Sequence, residues 1–294
     1  MGKAFALAIL ASLTLFNVAF PQAQTFQTTD SGVLYRVYSD KSGPHAEIGN
    51  YLKYNMQEEV HAGVLLSSYS NTPLYMRVQP LEHKYGISDL FNLLRNGDSI
   101  VAAMPIDSIR RHYNGQLPSF FQPNDTLFYR IKILAVFTSI RQMEEDSIQE
   151  VARQRKRESA AIETYLAHEQ VQIEKTPLGV YVRVDTIGHG PAISTGKQVT
   201  LHYTCTAMHQ GKIVPSNQPG QVHAFLTIVI GKGQVIPGME DGLRQFREGG
   251  KGTIYIPAFL AYDAAFGPGG NTYENLRFEV EIDKVTTVAA RTRK

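Results

Sequence analysis

Few residues in this chain could perform covalent chemistry. Its single cysteine, Cys205, excludes an internal disulfide and any multi-cysteine metal site. His202, Cys205 and His209 lie close enough in sequence to suggest a metal, but along a strand residues 202 and 205 face opposite sides, so no metal site is expected. Cys205 shares its face with Tyr203 and reads as a small core residue rather than a nucleophile. Gly267-Pro268-Gly269-Gly270 has the glycines of a phosphate loop, but no Lys-Ser/Thr pair follows it, so a tight turn is expected. What remains is phenolic and apolar. Tyr203 and Phe278 fall on the apolar faces of alternating segments, and Met239 falls on an apolar stripe of helical spacing. The chain has no tryptophan, so any pocket must be built from Tyr, Phe and aliphatic side chains. Such a pocket can hold an uncharged group and offer it a hydroxyl, without metal or cofactor.

The elements that would position these residues occur twice. Gly32-Val33-Leu34-Tyr35-Arg36-Val37 matches Gly179-Val180-Tyr181-Val182-Arg183-Val184. Gly43-Pro44 and Gly49 are spaced as are Gly190-Pro191 and Gly196. An alternating strand follows each, with Leu52, Tyr54 and Met56 in the first copy and Val199, Leu201 and Tyr203 in the second. Then comes a short apolar-striped helix: Ile87, Leu90, Phe91 and Leu94, against Ile236, Met239, Leu243 and Phe246. Pro237 stands where a first helical residue tolerates proline. Each copy ends on an alternating strand, Leu127-Ile133 or Leu276-Ile282. The expected fold class is α+β, with each copy an antiparallel sheet wrapped on a short helix.

In the second copy, Val235-Ile236-Pro237-Gly238-Met239-Glu240-Asp241-Gly242-Leu243 is followed by Gly249-Gly250 and by Ile256-Pro257-Ala258-Phe259-Leu260-Ala261-Tyr262. These blocks, in this order, resemble the FKBP family of peptidyl-prolyl isomerases over about residues 174–287. The first copy resembles the same family more weakly, best at Pro123-Asn124-Asp125-Thr126-Leu127. The resemblance implies two half-barrel domains and an apolar pocket between sheet and helix. It places Tyr203, Val214, Leu226, Val235, Ile236, Met239, Tyr262 and Phe278 at that pocket. It gives catalytic roles to the Ile236 N–H and the Tyr262 hydroxyl, with Tyr203 beside them, and substrate contact to Val214, Leu226, Val235, Met239 and Phe278. The implied substrates are proline-containing polypeptides. Three positions depart from the family pattern: Val214-Pro215 replaces an aromatic-acid pair, Met239 a tryptophan, and Asp263 a glycine. The first copy departs further, with Met56 for the strand tyrosine, and is expected to be non-catalytic and to have lost the pocket.

Residues 1–23 read as a signal peptide, with Lys3 ahead of an apolar run from Ala4 to Val18. Residues 25–138 form the degenerate copy, 139–173 a helical linker, 174–287 the isomerase domain and 288–294 a tail. The linker lacks Gly and Pro, and Ile148, Val151, Ile162, Tyr165 and Leu166 give it a broken apolar stripe. The basic run Arg153-Arg157 is expected on a solvated face, and the helix offers a surface for self-association. A net charge of +2 gives no electrostatic case for nucleic acid. No stable membrane span is expected after signal cleavage, and the protein is placed in a periplasm or cell envelope, or secreted. Two functions compete: a folding catalyst for exported proteins, and a non-catalytic peptide-binding chaperone module of the same fold. A structural spacer in the envelope is a third.

Overall fold

The computed structural model describes residues 25–69, 71–112, 117–118, 120–122, 124–169, 173–208, 212–214, 224–268 and 271–287. The signal segment 1–23, the tail 288–294, His209, Gly211, Pro215 and Pro123 lie outside them, and so does the side chain of Val214. The chain divides into two compact units between Glu150 and Val151.

The first unit contains β1 (Gln27–Thr28), β2 (Leu34–Tyr38), β3 (Tyr51–Val60), β4 (Gly63–Ser67) and β5 (Leu74–Arg77). A 3₁₀ turn over Ser88–Leu93, β6 (Ser99–Pro105), α1 (Ile106–His112) and β7 (Thr126–Phe137) complete its sheet and cover. Helix α2 (Ile140–Glu169) begins in this unit and ends in the second. The second unit adds β8 (Glu174–Lys175), β9 (Tyr181–Thr186), β10 (Lys197–Ala207), β11 (Lys212–Val214) and β12 (Ala224–Val229). There follow α3 (Pro237–Leu243), β13 (Lys251–Ile256), a 3₁₀ turn over Ala258–Leu260, and β14 (Leu276–Thr287).

The two sheets share one topology. The first runs β1-β2-β6-β7-β3-β4 with β5 also on β3; the second runs β8-β9-β13-β14-β10-β11 with β12 also on β10. All described pairings are antiparallel. A bulge falls at the same place in each long central strand, between Lys53 and Tyr54 and between Thr200 and Leu201. Across the central pair, Met56 stands opposite Ile131 and Tyr203 opposite Val280, so Met56 occupies the place of Tyr203. By the same register Tyr129 occupies the place of Phe278 and Glu58 that of Cys205. The alternation read from sequence buries Leu52, Ile131 and Ile133 in one core and Leu201, Phe278, Val280 and Ile282 in the other.

The segment carrying Leu90, Phe91 and Leu94 buries all three as expected, but as a 3₁₀ stretch of six residues rather than an α-helix. Helix α2 also differs from its expected stripe. Ile148 is 70% exposed and Val151 is 39% exposed, while the buried row is Glu150, Gln154, Glu158, Ile162 and Leu166, each four residues after the last. The polar members are buried because they meet polar partners. Lys53 on β3 donates to Asp146 at 2.8 Å and to Glu150 at 2.7 Å, and the Tyr75 hydroxyl donates to Asp146 at 2.6 Å. In the second unit Ile162 and Leu166 pack on Tyr181 and Tyr255. Arg153, Arg155, Lys156 and Arg157 are exposed, with buried Gln154 between them.

Candidate active site

The site is built on α3. Pro237 is its first residue, where a missing N–H costs nothing. Gly238 and Gly242, one turn apart, let the helix lie directly on β13. A Cβ on Gly238 would come within 2.3 Å of Ile256 Cγ2, and one on Gly242 within 2.4 Å of Ile254 Cγ2. Glu240 folds back to the preceding loop, accepting the N–H of Gly231 at 3.0 Å and of Gly233 at 3.2 Å. The motif's glycines and acid thus hold the loop and helix in place, a role the spacing alone did not reveal. Ile236 stands at the helix start; its carbonyl accepts the N–H groups of Met239 and Glu240, and its own N–H takes no part in those bonds.

Met239 and Phe278 lie in the second core, and Tyr203, Leu226, Val235 and Ile236 pack against its edge as half-buried side chains. The Tyr203 and Phe278 rings sit 5.7 Å apart at 49°. Leu226 reaches this edge because β12 pairs Leu226 with Leu201, and the backbone of Val214 pairs with Cys205. Tyr262 follows the Ala258–Leu260 turn and is 41% exposed. Burial raises the Tyr203 hydroxyl above the usual phenol range, with Cys205 and Tyr262 adding to the effect, so it remains a proton donor at neutral pH. Asp263, standing where a glycine was expected, adopts φ +51°, the left-handed region that glycine enters without strain.

Cys205 is buried, and desolvation pushes its thiol up to about 12, so it remains a neutral core group. His202 faces the other side of the sheet and meets Asp283 at 3.0 Å. Among the described residues, no group of three His, Cys, Asp or Glu side chains is placed to hold a metal.

Two depressions lie in the described residues, the first of which Tyr203 also borders. On the side of the second sheet where His202 lies, an open one of about 710 Å³ is bordered by Arg183, Asp185, Lys251, Glu279 and Glu281. Its ions are paired with one another, as in Arg183–Asp185 and Lys251–Glu281, which suits neither an apolar ring nor a single charge. In the first unit, a cavity of about 290 Å³ is lined by Ile87, Met104, Ile109, Phe121, Leu127 and Tyr129. Ile87 stands at the start of its 3₁₀ turn as Ile236 does on α3, and Tyr129 in the place of Phe278. The first copy therefore keeps an apolar pocket, contrary to expectation. Helix α1 follows Pro105 there, whereas in the second unit the short turn with Tyr262 follows Pro257, so the cavity wall is Ile106 and Ile109 rather than a tyrosine.

Residues 190–283 match a family model described as FKBP-type peptidyl-prolyl cis-trans isomerase. An FK506-binding protein of Neisseria meningitidis serogroup B is 39% identical over 100 residues, 33% of this chain and 88% of that protein. FK506-binding protein 4 of Emericella nidulans is 34% identical over 104 residues, 35% of this chain and 21% of that protein. A peptidyl-prolyl cis-trans isomerase of Saccharomyces cerevisiae is 33% identical over 104 residues, 35% of this chain and 24% of that protein. The chain thus spans about a fifth to a quarter of these two longer relatives. The crystal structure of FkpA from Escherichia coli aligns with 50% of this chain and 70% of its own at 24% identity, with a TM-score of 0.37. Every candidate site residue from Tyr203 to Phe278 falls inside the matched segment, and the first unit lies outside it.

Proposed function

The chain belongs to the FKBP-type peptidyl-prolyl cis-trans isomerase family, and on that premise we propose that its second unit rotates X-Pro bonds at the edge formed by Tyr203, Ile236, Met239, Tyr262 and Phe278. The observation that supports this reading is the gathering of Tyr203, Ile236, Met239 and Phe278 at one core, with Leu260 and Ala261, just before Tyr262, packed against the same core. Resonance opposes rotation of an X-Pro amide with a barrier of about 18–20 kcal/mol. Twisting the bond removes charge from the carbonyl oxygen, so an apolar surface such as Met239 and Phe278 favours the twisted form over the planar one. The Ile236 N–H and the Tyr262 hydroxyl then hold the twisted peptide by donating to it, contacts that count only to the extent that they strengthen as the bond twists. Each tenfold gain in rate needs about 1.4 kcal/mol, so a few such contacts suffice. No nucleophile, metal or cofactor enters these steps.

The test is the isomerisation rate of a proline-containing peptide with the full chain. Tyr262→Phe removes one hydrogen bond and is expected to lower kcat/KM about tenfold. No rate above background in the unaltered chain, together with no effect of Tyr262→Phe, would end the enzyme reading.

We place the activity in exported-protein folding because of the basic-then-apolar start of the sequence. Detection of the chain cut near residue 23 outside the cytoplasm tests this; an uncut, cytoplasmic chain would refute it. We assign residues 25–138 to a degenerate, non-catalytic copy, on the strength of the shared strand order and the Met56 substitution.

A specific observation also favours the chaperone reading, namely the apolar cavity of the first unit. Under it, Tyr129→Ala weakens suppression of a client's aggregation while leaving prolyl isomerisation unchanged; an effect on neither would remove it. Self-association through α2 is supported by exposed Ile148 and Val151. A monomeric full chain in sedimentation would exclude it.

A further inference from the structure

Helix α2 reaches the turn that carries Tyr262 by three contacts, all within the second unit. The Glu158 carboxylate accepts the Phe259 backbone N–H at 2.8 Å. The Glu158 backbone carbonyl accepts the Asn275 side-chain amide at 2.9 Å, and Asn275 Oδ1 accepts the Ala258 N–H at 2.9 Å. The Arg155 guanidinium, one of the run expected to be merely solvated, lies 5.4 Å over the Phe259 ring. The turn is closed on itself as well, since the Ala258 carbonyl accepts the N–H groups of Ala261 and Asp263, each at 2.8 Å. The backbone on both sides of Tyr262 is therefore fixed, while its side chain stays accessible.

Glu158 is only 4% exposed. Burying a carboxylate on a helix that could have carried an aliphatic residue is costly unless its hydrogen bonds do something a methyl cannot. Burial raises its carboxyl above the usual range, with Asp263 adding to the effect. The next residues on the same buried row, Ile162 and Leu166, are apolar and lie in a cluster with Tyr181 and Tyr255. The carboxylate stands at the level of the helix that faces the turn, where it accepts the Phe259 N–H.

We propose that Glu158 is a positioning residue of the isomerase site: by accepting the Phe259 N–H it fixes the Ala258–Asp263 turn, and with it the Tyr262 hydroxyl, relative to Phe278 and Met239. The functional unit then extends upstream of the matched residues 190–283 into α2. This inference rests on the isomerase reading of the second unit, and two readouts separate the two.

The experiment uses the full chain, with prolyl-peptide isomerisation and residue-resolved amide hydrogen exchange measured on the same samples. Glu158→Ala is expected to speed exchange at Phe259 about tenfold or more while β13 amides remain protected. It is expected to lower kcat/KM by up to about tenfold, no more than Tyr262→Phe does, and mainly through kcat, since Tyr262 acts on the twisted bond. Glu158→Gln keeps an oxygen acceptor and should restore both readouts, which a purely electrostatic role would not allow. Glu158→Met, which keeps the buried volume, replaces the alanine variant should that not fold. Unchanged Phe259 exchange, or unchanged kcat/KM in an active chain, overturns the inference. An inactive unaltered chain refutes the isomerase reading alone, and the exchange result then decides whether Glu158 holds the turn.

Discussion

Asp263 and Glu158 show how single residues tune one turn. Asp263 occupies the left-handed region at φ +51° without glycine's freedom. Asp263→Gly should stabilise the second unit by about 1 kcal/mol in urea unfolding, the cost of a left-handed non-glycine residue. Glu158 has the opposite linkage from most carboxylates. Its folded pKa lies above the unperturbed value of 4.5, so the native state keeps the proton that the unfolded chain has already released. The group's contribution is fully present below 4.5 and is lost as pH rises through the folded value. Glu158→Gln should therefore gain stability relative to the unaltered chain between pH 4 and pH 7, as urea unfolding at the two pH values would show. Equal differences at both would indicate a solvated carboxylate.

At the scale of elements, α3 is short, and its position depends on what it lacks. Seven residues cannot sustain a helix alone; packing on β13 does so, and Gly238 and Gly242 permit the contact. Gly242→Ala must displace Ile254 or the helix and should cost about 1–3 kcal/mol, with the loss of rate exceeding what the remaining folded fraction explains. Full stability in thermal unfolding would show that the two elements can part without strain. This arrangement was half legible beforehand. Met239, Leu243 and Phe246 announced the buried stripe by spacing, but nothing in sequence distinguished glycines that permit contact from glycines that bind a ligand. The buried row of α2 was misread for a related reason: Glu150, Gln154 and Glu158 are polar, and apolar periodicity cannot identify a polar residue that is buried against a partner far along the chain.

For the whole molecule, two units with one topology carry separate cores and unequal sites. The start of α2 is held to the first unit by Lys53, which lies between two carboxylates and is itself buried. Lys53→Met removes the cation held between Asp146 and Glu150. It should lower the stability of the first unit by about 3 kcal/mol. Prolyl isomerisation should be unchanged, because the carboxylates that hold Lys53 belong to the first unit. Calorimetry of the full chain, followed by the peptide assay, checks both; a loss of rate would tie the second site to the integrity of the first unit.

The sequence by itself determined the α+β class, the repeated strand pattern and the burial of Met239 and Phe278, with Tyr203 packed against the same core. It could do so because alternation and helical spacing are local records of which side chains must leave water. Only the tertiary structure decided that the first copy keeps an apolar cavity, since that depends on α1 replacing a short turn after Pro105. Only it decided that Glu158 lies against Phe259, 101 residues away in the chain, a contact set by where α2 packs. Pairings of that kind leave no spacing signal, because the chain between the partners folds independently of the bond it closes. The second unit therefore includes the later part of α2, whose Glu158 accepts the Phe259 N–H beside the turn that Tyr262 follows.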